Sequence, residues 1–332
     1  MASCCSDSDS DGLVDHFTLL EPPKPDPEPP KPNIHNDVAE LLGLLPTCML
    51  NLLLMNFAAM FAHGQFTIGT LCSGTDLMVT WVAAIVSACS ARCGSGTSSD
   101  WVHLFSCEYI KWKRDWIEQN FSPRHLYSCV HEVASGKAFD IISQTAGEVG
   151  RVAALWAGFS CKSVSGLNNR ASEFARCVYE GSGTTGATCR SVLRYISWAR
   201  PWLVFLENVA KFAVRSTLAA FGHARVLDPT RDKITKNLED LLDILEAFGY
   251  TCVCMIMSPA CFGSPNRRPR FWLAAMWRPQ STIHSAARLI SESLLAWKAM
   301  PAKLLSSFLL SGEELEYWLE DHRYIFVGYE RR

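Results

Sequence analysis

Short apolar runs alternate with longer amphipathic segments between residues 66 and 276. Short apolar runs are typical of strands buried on both faces, whereas apolar positions that recur every three or four residues are typical of helices. The predicted strands are residues 66–72, 101–108, 125–130, 151–159, 202–209, 250–258 and 270–276. The predicted helices are residues 76–90, 109–121, 188–199 and 233–248.

This order of elements predicts an α/β fold with a mostly parallel open sheet and helices on both faces. The last two predicted strands are joined by the polar segment ACFGSPNRRP, which predicts a terminal antiparallel hairpin with one reversed strand. In such a sheet, ligands bind at the carboxyl ends of the strands, so the residues that follow each strand are the first candidates for a site.

The two ends of the chain differ in character from this central part. Residues 1–40 hold nine acidic residues, two basic residues and a proline-rich stretch, which predict a disordered acidic tail. Residues 41–64 carry no Asp, Glu, Lys or Arg and predict an apolar helix packed on the main domain. The lack of a flanking basic cluster favours this interpretation over a membrane anchor. Residues 65–280 are the predicted main domain, and residues 281–332 a short helical region.

Composition adds two expectations. Of the 332 residues, 48% are hydrophobic and 19% are charged, which excludes a wholly disordered chain. The fourteen cysteines include no Cys-x-x-Cys pair, and the N-terminus has no signal peptide. This pattern favours reduced intracellular thiols and predicts no metal site.

The formal net charge of −2 argues against a nucleic-acid partner until the distribution of charge is considered. Much of the acidic charge lies in residues 1–40, whereas residues 160–200 hold six basic and two acidic residues. A basic segment of this kind suits a mobile loop that closes over phosphates.

Candidate cofactor residues follow the first two strands. A glycine in the first strand-to-helix turn lets backbone N–H groups approach a ligand, and an acid after the second strand typically binds ribose hydroxyls. No P-loop is present, and the GxGxxG at residues 181–186 does not directly follow a predicted strand, so the pattern predicts a nucleoside-type cofactor and does not favour NAD. The predicted cofactor-binding residues are Cys72, Ser73, Gly74, Thr75, Asp76, Glu108, Tyr109, Val130 and Gly158.

Four residues are candidates for catalysis. Cys161 lies on a glycine-bordered turn beside a lysine, which suits a nucleophilic thiolate, although any one of fourteen cysteines is by default a buried free thiol. Glu207 ends an apolar strand and is a candidate acid. Arg268 and Arg270 alternate in the hairpin, where the alternative is a solvated basic turn. The hydrolase, zinc-protease and zinc-deaminase motifs GxSxG, HExxH and HxE…PCxxC are absent.

Taken together, these motifs resemble the cytosine-C5 methyltransferase family. The order CSGTD, CE, AGFSCKSVSGLNN, VFLENV and FGSPNRRPRFWLAA carries the resemblance, which covers residues 66–276. It implies a class I methyltransferase (Rossmann-like) fold, S-adenosyl-L-methionine as cofactor, and a catalytic domain at residues 65–280. Cys161 matches the family's nucleophile, Glu207 its Glu-Asn-Val acid, and Arg268 and Arg270 its two motif arginines. The family's target-recognition domain is reduced or absent in residues 281–332.

The resemblance implies methyl transfer to C5 of cytosine in DNA through a covalent bond between Cys161 and C6. In this chemistry, Glu207 binds N3 and the exocyclic amine, and Arg270 with Arg268 binds O2. Two alternatives stay open: the same reaction on RNA, with a tRNA-like substrate, and a non-catalytic homologue that binds nucleic acid or a partner. The expected location is intracellular, and the nucleus if the source is eukaryotic.

Overall fold

The computed structural model describes residues 66–93, 101–215, 225–229, 232–259 and 268–277. The predicted tail at 1–40, helix at 41–64 and helical region at 281–332 lie outside these residues. Within the described residues, no helix is both long enough and apolar enough to cross a membrane.

The described strands form a single ten-stranded sheet. They are β1 (Phe66–Leu71), β2 (Trp101–Cys107), β3 (His125–Tyr127), β4 (Lys137–Asp140), β5 (Thr145–Glu148), β6 (Ala154–Ala157), β7 (Leu203–Val209), β8 (Arg225–Val226), β9 (Tyr250–Met257) and β10 (Arg270–Trp277). Their spatial order is β5-β4-β3-β2-β1-β6-β7-β10-β9-β8.

The centre of the sheet is parallel and its ends are antiparallel. Strands β3, β2, β1, β6 and β7 run in one direction, and β10 runs against both of its neighbours, β7 and β9. This topology confirms the predicted Rossmann-like class I methyltransferase fold with its antiparallel hairpin. Three strands, the edge strands β5 and β8 and the neighbouring β4, were not predicted, and they add further antiparallel pairs.

Helices connect the strands. They are α1 (Leu77–Cys93), α2 (Lys111–Phe121), α3 (Val130–Ser135), α4 (Cys177–Glu180), α5 (Gly183–Ala199), α6 (Ala210–Ala213) and α7 (Lys236–Ala247), with a short 3₁₀ helix at Ala171–Phe174. Several predicted boundaries were wrong by three residues or more, including the start of the strand predicted at 151–159, which lies at Ala154. The strand predicted to reach residue 130 ends at Tyr127, and the helix predicted from residue 188 begins at Gly183. Most of the predicted loop at 160–200 is therefore helical.

The helices cover both faces of the sheet. On one face, Leu71, Leu155 and Leu206 belong to a large apolar core that also includes buried residues of α3, α5 and α7. On the other face, Ile68 and Trp156 pack with Val82 and Val86 of α1. Since successive side chains of a strand point to opposite faces, runs that are apolar at every position serve both cores at once.

The topology brings distant segments to one edge. The carboxyl ends of the parallel strands all lie along one edge of the sheet, at right angles to the outermost strands, and the reversed strand β10 begins there. This edge therefore holds the turns after β1, β2, β3 and β6, the end of β7 and the start of β10, and it carries the candidate site.

Candidate active site

Glu207 and Arg270 form an ion pair at this edge. Arg270 Nε lies 2.8 Å from Glu207 Oε1, and the two side chains are 21% and 30% exposed. Arg270 stands opposite Val209 in the ladder between β10 and β7, so the antiparallel pairing holds the two charged groups together. Burial raises the pKa of Glu207 above its usual value, while Arg270 and then Arg268 act to lower it.

Arg268 lies next to this pair but remains exposed. Its backbone N–H donates to Ser258 Oγ at 3.1 Å, which anchors the residue just ahead of β10. Its guanidinium is close enough to Glu207 to lower the pKa of that carboxyl. The structure therefore places three of the four predicted catalytic residues, Glu207, Arg268 and Arg270, in one group.

The turn that carries Cys161 is fastened to the first turns of α5. The Ser160 N–H donates to Thr188 Oγ1 at 3.1 Å. The Ser163 N–H donates to Thr185 Oγ1 at 3.1 Å, and the Thr185 N–H donates back to Ser163 Oγ at 3.2 Å. These bonds hold both sides of the half-buried Cys161 in place.

A second attachment joins the same turn to the strand that carries Glu207. The buried amide of Asn208 donates through Nδ2 to the Phe159 carbonyl at 2.9 Å, and its Oδ1 accepts from the Val209 N–H at 2.9 Å. Asn208 belongs to the sequence motif VFLENV. Its position shows that it ties the Cys161 turn to the end of β7.

Two other cysteines, Cys72 and Cys177, are poor candidates for the nucleophile. Burial is the main cause that raises the pKa of the Cys72 thiol to about 12 and that of the Cys177 thiol to about 11. Both therefore stay protonated at neutral pH, and a protonated thiol is a weak nucleophile.

Gly158 marks a close approach of two backbone segments. Its N–H donates to the Leu71 carbonyl at 3.0 Å. A Cβ at this position would lie 3.0 Å from the Cys72 carbonyl oxygen and 3.6 Å from Glu207 Oε2. The space that a side chain would fill is thus kept open between Glu207 and the loop after β1, residues 72–76, which is the predicted cofactor loop.

Glu108 is a buried carboxylate that organises the cofactor loop. Its Oε2 accepts from the Gly74 N–H and its Oε1 from the Ile110 N–H, both at 3.0 Å. A carboxylate has about four acceptor positions, so two backbone bonds leave about two for hydroxyl donors. This arrangement suits the two hydroxyls of a ribose.

Asp76 lies beneath the same loop, with its carboxylate fully buried. Thr70 Oγ1 donates to Asp76 Oδ2 at 3.1 Å, and the hydroxyls of Ser73 and Ser106 also donate to this carboxylate. His103 Nε2 lies 2.8 Å from Ser106 Oγ, and burial lowers the pKa of this histidine. The Asp76 side chain therefore shapes the loop from below.

The remaining predicted cofactor residues lie around these groups. Ser73 and Thr75 are half-buried in the loop, Tyr109 is exposed after β2, and Val130 is the buried first residue of α3. Cys72, directly after β1, has a φ of 53° and Asp76 has a φ of 55°, so both adopt left-handed backbone conformations that side chains make uncommon. The buried hydrogen bonds of Asp76 hold this strained loop in place.

The residues present fit an adenosyl cofactor. Glu108 retains acceptor capacity for ribose hydroxyls, and Gly158 keeps open the space beside Cys72 and Glu207. Sequence reasoning missed the support below the loop, although His103 and Ser106 interrupt the otherwise apolar strand WVHLFSC. Among the residues that the structure describes, no cluster of three or more His, Cys, Asp or Glu side chains could hold a metal ion.

Comparison with known proteins identifies relatives of this chain. It is 31% identical over 158 residues to a protein of Cryptococcus neoformans var. grubii named DNA (cytosine-5-)-methyltransferase DMT5. The chain is a homologue of cytosine-C5 methyltransferases. The protein of the same name from Verticillium dahliae is 25% identical over 281 residues, a match that covers 71% of the present chain. The matches cover 48% of the chain for the first relative, and only 6% and 11% of the relatives' own lengths. No family model matches.

Solved structures with a similar arrangement are also methyltransferases by name. The Schizosaccharomyces pombe Dnmt2 methyltransferase gives a TM-score of 0.42 at 14% identity, over 77% of the homologue and 66% of that chain. The Entamoeba histolytica methyltransferase EhMeth gives a TM-score of 0.37 at 16% identity, over 65% and 54%.

Proposed function

We propose that this chain transfers a methyl group from S-adenosyl-L-methionine to C5 of cytosine in DNA. The observation that carries the proposal is the convergence of the Cys161 turn with the Glu207–Arg270 pair at one edge of the sheet. DNA is chosen as the substrate because both curated relatives are named as enzymes that act on DNA.

Cytosine C5 is a poor nucleophile, and the chain's residues are arranged to change that. Addition of the Cys161 thiolate to C6 opens the C5–C6 double bond and makes C5 electron-rich. The S-adenosyl cofactor supplies an electrophilic methyl group when bound. Cys161 is suited to the addition because its turn is fixed to α5 on one side and to β7 on the other.

Glu207 and the two arginines would act on the polar atoms of the same ring. Glu207 holds its proton to a higher pH than an ordinary glutamate, so it can donate to N3 and lower the cost of the addition. Arg270 and Arg268 would bind O2 and spread the charge that develops on the ring. A base reaches such a pocket only after leaving its stack, or from a strand that is already single.

Gly74, Glu108 and Gly158 would hold the cofactor. Glu108 orients the loop through the Gly74 N–H and offers its remaining acceptor positions to the ribose. Gly158 leaves space beside Glu207, where the reacting groups must meet.

Methyl transfer from labelled cofactor tests the proposal. We expect incorporation into cytosine-containing duplex DNA, and Cys161→Ala to lower the rate about a thousandfold or more. The matched control is Cys252→Ala, which changes a half-buried cysteine in β9 that lies toward the other edge of the sheet. This control should keep the full rate.

The remaining results each contradict part of the proposal. Transfer to RNA in place of DNA would overturn the substrate. Transfer that survives Cys161→Ala would overturn the covalent mechanism. No cofactor binding and no transfer to either nucleic acid would overturn the enzymatic function and leave a non-catalytic homologue.

A further inference from the structure

The six basic residues of 160–200 differ in what they contact. Arg170 Nη2 lies 2.7 Å from Glu173 Oε2, and Arg176 Nη2 lies 2.9 Å from Asp240 Oδ1. Arg200 donates to the Phe248 carbonyl. The four that have no carboxylate partner among the described residues are Lys162, Arg190, Arg194 and Arg200.

Two of these four line one groove. Arg190 and Arg194 lie one turn apart on α5 and border a cavity of about 450 Å³ between α5 and α3, together with His131, Ala134 and Ser191. His131 Nδ1 lies 2.6 Å from Ser191 Oγ, which joins the two helices across the groove. The groove is therefore built from packed helices and has a positively charged wall.

The nearest acidic side chains in sequence do not neutralise this wall through contact. Glu180 Oε2 accepts from Ser182 Oγ at 3.0 Å, and Glu132 Oε2 accepts from the Phe139 N–H at 3.2 Å. Arg190 Nη1 donates to the Glu180 carbonyl oxygen at 3.2 Å, which uses one of its five N–H donors. Most donors of both guanidinium groups have no partner among the residues that the structure describes.

The groove lies next to the candidate active site along the same helix. Thr188 of α5 binds the Cys161 turn, and Ser191 of the groove lies three residues further, about 4.5 Å along the helix axis. On the other wall, His131 directly follows Val130 at the start of α3. A strand whose cytosine enters the site could thus continue along the groove.

We propose that the groove between α3 and α5 binds the phosphodiester backbone of the nucleic acid substrate. This rests on the proposed function, and it assigns a partner to a surface outside the catalytic residues. Guanidinium groups bind phosphate oxygens through paired N–H donors, and two of them one turn apart offer such donors to neighbouring phosphates. The contacts carry no base selectivity, because phosphates are the same at every position.

The salt dependence of binding tests this groove. The full chain and its Arg190→Ala, Arg194→Ala and double variants are titrated into fluorescent duplex DNA, and separately into single-stranded RNA, at several salt concentrations. Each lost phosphate contact should reduce the slope of log K against log salt by about 0.9 for the duplex or about 0.7 for the single strand. At 0.15 M salt, each loss should weaken duplex binding about fivefold.

Three further variants sharpen the result. Arg124→Ala removes an exposed arginine just before β3, at the opposite edge of the sheet, and should leave the slope unchanged. Arg190→Lys keeps the charge and should restore most of the slope. Arg194→Glu should weaken binding more than Arg194→Ala. A thermal unfolding midpoint shared with the unmodified chain shows that each variant is folded.

The outcomes separate the groove from the proposed function. If the groove variants bind like Arg124→Ala, or if the unmodified chain binds neither nucleic acid, the groove proposal is overturned. If the groove variants show a smaller slope of log K against log salt while the unmodified chain transfers no methyl group, the groove proposal is supported and the proposed methyl transfer is overturned. The titration in which the variants reduce the slope, with DNA or with RNA, identifies which nucleic acid the groove binds.

Discussion

At Glu207, two opposing influences act on a single carboxyl group. Burial favours the protonated form, and the nearby guanidinium groups of Arg270 and Arg268 favour the charged form. Burial is the larger influence, so the pKa of Glu207 is raised even though it is paired with Arg270 at 2.8 Å. A carboxyl group tuned in this direction can donate a proton at a pH where an ordinary glutamate has already lost it.

Glu207→Gln should flatten the pH dependence of methyl transfer. In the unmodified chain, the rate should fall as the pH rises through the raised pKa of Glu207, because the proton needed at N3 is then lost. The amide of the variant cannot titrate, so this descending limb disappears while the rate falls about a hundredfold. The measurement is the rate against pH, with Glu118→Gln, an exposed residue of α2, as the control. An unchanged limb in Glu207→Gln would assign the titration to another group.

At the level of elements, the loop after β1 depends on hydrogen bonds that cross from one strand to the next. Asp76 in the loop accepts from Thr70 of β1 and from Ser106 of β2, and Ser106 contacts His103. These groups are buried, so each bond is protected from competition with water. The loop is therefore held in one shape by hydrogen bonds within the chain itself.

Asp76→Asn should loosen this loop. One charged acceptor is replaced by an amide that cannot accept from all three hydroxyls, so we expect the free energy of unfolding to fall by about 2 kcal/mol. Cofactor affinity should fall about tenfold, measured by calorimetric titration. The control, Asp115→Asn, breaks only an exposed ion pair with Lys111 on α2 and should change neither quantity. Unchanged cofactor affinity in Asp76→Asn would show that the loop forms without this network.

The elements that sequence reasoning predicted are those with a clear apolar signal. Strands such as β7 and β10 were placed within one or two residues, because their apolar runs are bounded by polar turns. Strand β5 was missed because all four of its residues are exposed and carry no apolar pattern. Similarly, the end of β3 was placed too late because the buried Val130 continues the apolar run into a helix.

The candidate site was predictable only in part. Residues at strand ends follow from the fold class, since parallel strands end at one edge. The supports were not predictable, because the threonines of α5, Asn208 and the His103–Asp76 network are joined by contacts between residues far apart in sequence. Nothing in local sequence specifies which of the many polar residues will meet.

For the whole molecule, the edge of the sheet that carries the candidate site is where binding of the proposed cofactor would be coupled to folding stability. The predicted cofactor residues come from the turns after β1, β2, β3 and β6, which are far apart in the sequence. A ligand that contacts several such turns binds only when they are assembled. Its binding free energy therefore adds to that of folding.

S-adenosyl-L-methionine should raise the free energy of unfolding by about 2.7 kcal/mol at a concentration one hundred times its Kd. The measurement is the thermal unfolding midpoint with and without cofactor. Glu108→Gln should reduce the gain at a fixed cofactor concentration, because its carboxylate organises the loop and faces the predicted ribose position. ATP at the same concentration is the control for nonspecific effects. A midpoint that does not respond to saturating cofactor would contradict the predicted site.

Gly186, in the first turn of α5, limits how this chain can evolve. A Cβ there would lie 2.2 Å from the Cys177 carbonyl oxygen and 2.8 Å from the Gly181 carbonyl carbon, and backbone atoms cannot rotate aside as a side chain does. Every missense change of a glycine codon adds at least that Cβ. No substitution at this position is therefore neutral for folding. In a library of random variants selected for folding, glycine should be retained there long after the exposed residues of the same helix have diversified.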